Sequence, residues 1–181
     1  MKKHIVNFLI LIFCVLTTIT LSACFSATST PKKQQSENGF VFKDYGDGCM
    51  LEDYTGRVAD IVIPSQNLAG KKVLRIDDNV FKEYRMRSLV IPETVTEIGE
   101  DAFYKCNDLE KVTFNGTLKQ WLEMDVESSP LNQKQHVNLY LNNAVVSGDI
   151  TVGDGVKKIA NYAFYKQDGI TSITFSNSCS V

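Results

Sequence analysis

Only two histidines occur in the 181 residues, alongside four prolines and one tryptophan. His4 lies in an N-terminal leader, so His136 is the single imidazole left for chemistry. A Ser/His/Asp or Cys/His nucleophile would have to be built on it, and no nucleophile turn stands beside it. No C-x-x-C pair is present, which removes the usual zinc-ribbon spacing. No glycine-rich phosphate loop is present either. Asp44–Gly48 and Asp149–Gly155 lack the alternating ligands and closing glutamate of a calcium loop. Lysine and arginine number 19 against 21 acidic residues, a net charge of −2. That balance, with no basic cluster beyond the leader, argues against a nucleic-acid partner. The expectation is no enzyme, no catalytic residue, no metal and no cofactor.

What is present begins with a targeting pattern. Lys2 and Lys3 precede an unbroken apolar run from Phe8 to Leu16, and the segment ends Leu21-Ser22-Ala23-Cys24. A basic n-region, a short apolar h-region and small residues before a cut point describe a signal peptide over residues 1–23. The L-S-A-C ending resembles the bacterial lipobox. That resemblance implies cleavage after Ala23 and lipidation of Cys24, hence a lipid-anchored protein of the bacterial cell envelope. The absence of aspartate after Cys24 favours the outer membrane where two membranes exist. Residues 24–38 are small, polar and charged, a flexible tether between lipid and domain.

From Gly39 the texture changes to short β-branched and apolar runs broken by Gly, Asn, Asp and Pro. Sliding the sequence by 61 residues lays Leu89–Asn115 on Ile150–Ser176 without a gap, with 8 of 27 positions identical. Among these are Val95/Val156, Ile98/Ile159 and the block Ala102–Lys105 over Ala163–Lys166. A shorter period lies inside. Apolar-x-apolar triplets end at Ile63, Ile91, Phe114, Val152 and Phe175, spaced 28, 23, 38 and 23 residues apart. The unit is therefore 23 residues, with two longer copies. A strand-bearing unit of 20 to 29 residues is the signature of a leucine-rich repeat.

Each unit reads as a strand at the triplet, a turn, a second short strand with Val95 and Ile98 inward, and helical turns over Glu100–Lys105 burying Ala102 and Phe103. Such a unit cannot bury its apolar face alone, so neighbours stack. The domain spans 39–181. Residues 39–60 are expected to form its N-terminal cap, with strands joined at Gly46-Asp47-Gly48. Residues 116–147 are expected to be an insertion, with a helix over Thr117–Met124 and a hairpin turning at Asn142-Asn143. By this register the last repeat is expected to be incomplete. By register Phe164 is the counterpart of Phe103, and Gln167 and, approximately, Tyr84 are those of Cys106. Cys106 therefore reads as a packing residue. Cys179 falls on the core position of Val95.

The strings IVIPS…GKKVLRIDDNVF, LVIPETVTEIGEDAFYKC and ITVGDGVKKIANYAFYK resemble the BspA-like leucine-rich repeats of bacterial surface proteins. The resemblance covers about residues 39–181. It departs at Gly153, Ala160 and Gln167, where the motif has proline, glycine and cysteine. It implies an α/β, short right-handed solenoid with a parallel sheet on one face and short strands and helical turns on the other. It also implies adhesion or binding of a protein on a host or neighbouring cell.

Strand alternation puts one side chain of each triplet on the exposed sheet face. Those are Val62, Val90, Thr113, Thr151 and Thr174. Two residues earlier on the same face lie Asp60, Ser88, Lys111, Asp149 and Ser172. These ten form the candidate binding face. The competing expectation is a passive envelope protein or the truncated remnant of a longer repeat protein.

Overall fold

The computed structural model describes residues 34–35 and 38–176. The leader, Cys24 and Cys179 lie outside these. The described chain coils through about five turns of a solenoid, whose strands gather into a front sheet, a back sheet and one separate strand pair.

The front sheet holds the triplets. β4 (Asp60–Val62), β6 (Ser88–Pro92), β8 (Lys111–Asn115) and β10 (Asn138–Leu141) run parallel in that order. Ile61, Leu89, Val112 and Leu139 are register partners, each 0–1% exposed, and form one continuous inward row. β-Branched residues fill the pleat at spacing two, which is why the triplets become strands. The back sheet begins with β1 (Gln34–Gln35), β2 (Phe40–Tyr45) and β3 (Gly48–Tyr54), which pair antiparallel. It continues in parallel through β5 (Val73–Ile76), β7 (Glu97–Ile98) and β9 (Asp125–Val126). The β2–β3 hairpin covers the N-terminal edge of this sheet, and Gly46, at φ 55°, makes its turn.

The predicted helical turns over Glu100–Lys105 do not form an α-helix. Asp101 and Lys105 are left-handed, at φ 54° and 56°. Asn79 and Glu83 repeat this one coil earlier, and Tyr162 and Lys166 in the last coil. A left-handed residue at every fourth position breaks the i→i−4 ladder, so only single turns close, such as Tyr104 N–H to Asp101 C=O. The freed backbone groups bond across coils instead. Asn79, Phe81 and Glu83 donate to the carbonyls of Glu100, Ala102 and Tyr104 at 3.0, 2.9 and 2.7 Å. Phe81 and Phe103 stack face to face beneath this ladder, 5.6 Å apart.

Residues 116–141, read as insertion sequence, make a coil of their own. α1 (Leu118–Glu123) is capped by Thr117 and Gln120 in a reciprocal capping box, and buries Trp121 and Leu122. β9 and β10 then join the back and front sheets in register with the coil before. The real insertion is smaller. At Asn142 and Asn143, both left-handed, the chain reverses into β11 (Ala144–Val145), which pairs antiparallel with the far edge of β10. That edge is thus occupied, and β12 (Gly148–Val152) and β13 (Ile170–Phe175) form a separate parallel pair.

The position of Cys106 proves to be a hydrogen-bond post as well as a packing site. Tyr84 Oη donates to the carbonyls of Gly56 and Val58, both at 3.1 Å. Cys106 Sγ donates to Phe81 C=O at 3.0 Å, and burial pushes its thiol up to about 12. Gln167 donates from Nε2 to Val137 C=O (2.7 Å) and accepts from Leu139 N–H (2.9 Å). All three side chains donate to main-chain carbonyls of earlier sequence, so exchange among Tyr, Cys and Gln preserves a role that apolarity alone does not describe.

Phe164 departs from its counterpart. Phe103 is fully buried, whereas Phe164 is half-buried and packs against the core edge. Among the described residues no coil follows it.

Candidate binding face

Parallel register places equivalent side chains side by side at the strand spacing of about 4.8 Å. Asp60, Ser88, Lys111 and Asn138 are partners across β4, β6, β8 and β10. Val62, Val90, Thr113 and Tyr140 form the second row. Four strands make a platform about 14 Å wide.

Six of the ten candidate residues therefore converge on one sheet. The other four do not. Asp149 pairs with Ser172, and Thr151 with Thr174, on the β12–β13 sheet. The hairpin at Asn142-Asn143 causes this split. Thr113 requires a correction, being only 2% exposed. It sits on the central strand between Val90 and Tyr140, and the Lys111 ammonium folds over the Tyr140 ring at 4.4 Å. Asn138 and Tyr140 belong to the face and were missed. Leu139-Tyr140-Leu141 is itself an apolar-x-apolar triplet, and that signal was absorbed into the hairpin.

Both sheets carry the same electrostatic pair at the same register. Ser88 Oγ donates to Asp60 Oδ1 at 2.8 Å, and Arg87 reaches the other carboxylate oxygen at 3.3 Å. Ser172 and Thr171 donate to Asp149 at 2.6 and 2.7 Å, holding its carboxyl below the usual range. On the back sheet Arg75 is engaged by Asp78 at 2.8 Å and by Asp77 and Glu97, both at 3.4 Å. Tyr45 also donates to Glu97. Charges there largely satisfy one another, while the front face keeps Val62 and Asn138 open to solvent.

The BspA type leucine-rich repeat region matches residues 72–135 and 138–181, with six copies. The chain belongs to this family. No curated protein sequence matches the chain. A crystal structure of a leucine-rich cell surface protein from Faecalibacterium prausnitzii is similar in fold, at 24% identity and a TM-score of 0.50. The similarity covers 84% of this chain and 45% of that one, so the BspA-type chain spans under half of its length. A leucine-rich repeat protein from T. pallidum aligns at 18% identity and a TM-score of 0.45, covering 78% of this chain and 71% of that one.

Among the described residues, no group of three or more His, Cys, Asp or Glu side chains converges as a metal site would require. His136 bonds to Asn138 at 3.1 Å and faces Asp168 at 3.8 Å. Cys49 and Cys106 are buried and do not pair with each other.

Proposed function

We propose that this BspA-type chain is a lipid-anchored, surface-displayed module that binds a protein on a host or neighbouring cell. The observation that carries the reading is the in-register platform of the front sheet. Its two rows offer backbone-fixed side chains with Lys111 and Tyr140 at the centre. A tyrosine on a rigid, weakly charged and open face suits a protein contact better than a small-molecule cleft. The lipobox-like Leu21–Cys24 and the polar tether support display outside the cytoplasm, with anchoring through Cys24 and several acyl chains. In a bacterium with two membranes the outer one is the expected site. Catalysis has no part in the proposal, and no cofactor is invoked.

The test compares the unaltered protein with a Lys111→Glu/Tyr140→Ala variant. Both are measured against immobilised host matrix proteins and intact neighbouring bacteria. Loss of a specific contact in the variant at unchanged melting temperature supports the reading. Equal binding by both proteins removes Lys111 and Tyr140 from the contact, and binding by neither overturns the reading in favour of a passive envelope role.

A further inference from the structure

The backbone of the front sheet is almost wholly engaged. β6 and β8 are paired on both edges, and the far edge of β10 is taken by β11. β4 is the exception. Ile63 N–H donates to Val90 C=O at 3.0 Å, and Ala59 C=O accepts from Arg87 and Ser88. The odd-numbered residues thus face β6. Strand alternation turns the N–H and C=O groups of Asp60 and Val62 the other way. Among the described residues no strand pairs with that edge.

The surface beside this edge is apolar. A groove of about 270 Å³ runs along it, walled by Phe40, Tyr54, Val58, Ile61 and Val62, with Arg57 on its rim. Val58 and Val62 are 55% and 62% exposed, two of the most exposed large apolar side chains described. Asp60 is already held by Ser88 and Arg87. Arg57 makes no ion pair among the described residues, so the charge left free beside the groove is positive.

We propose that the open edge of β4 receives an extended segment of the partner protein by strand addition. The segment pairs with the outward N–H and C=O groups of Asp60 and Val62. Its alternate apolar side chains enter the groove, and an acidic residue meets Arg57. This rests on the protein-binding reading and assigns it a mode and a partner chemistry. Main-chain bonds supply the attachment, and the groove and Arg57 supply the preference.

The experiment titrates the full chain with a fluorescent, blocked eight-residue peptide of alternating valine and threonine bearing one terminal aspartate. Val62→Pro removes one outward N–H and leaves the bonds to β6 intact. It is expected to weaken binding about tenfold, while Val62→Thr stays within about twofold. Two further peptides make the result independent of how the proline variant folds. One is N-methylated at every valine, the other at every threonine. In a strand, alternate residues present their N–H groups to one edge. One methylated peptide should therefore lose binding while the other keeps it. Absence of binding by the unmethylated peptide, or equal behaviour of the two methylated ones, overturns the proposal. A concentration-dependent dimer lost in Val62→Pro, with no peptide bound, makes a second copy the occupant and also overturns it. Peptide binding abolished by Lys111→Glu/Tyr140→Ala but kept by Val62→Pro moves the contact to the sheet face. That outcome refutes strand addition and leaves the protein-binding reading standing.

Discussion

Replacing Phe103 and Phe164 separately by alanine tests whether repeat register or local packing governs stability. The two residues hold equivalent places in sequence, yet Phe103 is fully buried and Phe164 only half-buried. Truncating a buried phenylalanine costs about 3–5 kcal/mol in lost transfer energy and residual cavity. Phe103 also stacks on Phe81, worth about 0.5–1.5 kcal/mol beyond area. Collapse around the void is resisted because Gln133 Nε2 pins the Phe103 carbonyl at 2.9 Å. The upper half of the range, about 4–5 kcal/mol, is therefore expected for Phe103→Ala. Phe164→Ala removes roughly half as much buried area and should cost about 2 kcal/mol. At about 2–4 °C per kcal/mol for a chain of this size, the melting temperatures should fall by about 8–20 °C and 4–8 °C. Urea unfolding followed by circular dichroism gives both free energies by linear extrapolation. Equal losses at the two sites, or a loss below about 1 kcal/mol for Phe103→Ala, would refute the assignment of burial.

Other perturbations address single bonds. Gln167→Ala strands Leu139 N–H and Val137 C=O, both buried, and should cost about 2–4 kcal/mol by the same urea assay. Trp121→Phe keeps the packing on Phe114 but removes the indole donor to Ala163 C=O, so a loss of about 1–3 kcal/mol is expected in thermal melts. Asp149 has a depressed folded-state pKa, so its contribution is present above the ordinary carboxylate pKa of about 3.9 and is lost as pH falls through the lower folded value. Asp149→Asn should therefore be less stable than the unaltered protein at neutral pH, with the gap closing in acid melts. In the full chain Cys24→Ser should move the protein from the detergent to the aqueous phase on phase partitioning. A variant retained in the membrane at unchanged size would instead mean that residues 1–23 act as an uncleaved anchor.

The repeat period, the inward triplet positions, the helix after Thr117 and the Asn142-Asn143 reversal were all legible in the sequence. Each depends on local alternation or on residue types with strong backbone preferences. The turns at Asp101 and Lys105 were not legible, because neither residue is glycine. Their left-handed conformation accompanies a main-chain ladder from Asn79, Phe81 and Glu83 to the carbonyls of Glu100, Ala102 and Tyr104, a pairing between coils that no local pattern records. The coil over residues 116–141 was hidden because α1 replaces the usual turn and shifts the spacing of the triplets. On the binding face, alternation assigned the side of the sheet correctly for Thr113 but could not register its burial on the central strand between Val90 and Tyr140. Tyr140 itself was lost by assigning a repeat strand to a hairpin.

The reversal at Asn142-Asn143 has a consequence for how the molecule comes apart. A repeat array behaves as a line of units coupled to nearest neighbours, and its cooperativity is only as strong as the weakest coupling. Between most coils that coupling is a run of main-chain bonds and an unbroken apolar row. Between the β10 coil and the β12–β13 coil no strand pairing joins the sheets, and the core continues through Val152, Val156, Ala160 and Ala163. The remaining links are mostly single side-chain bonds, among them the Gln167 amide, the Trp121 indole, Lys166 to Gln133 and Lys134, Lys119 to Gly155, Lys157 N–H to Glu123 and Lys158 to Asp125. The molecule thus carries a fracture line at about residue 147. Amides of β12 and β13 should exchange through an opening that leaves β4, β6, β8 and β10 protected, so the front platform outlasts the loss of its neighbour.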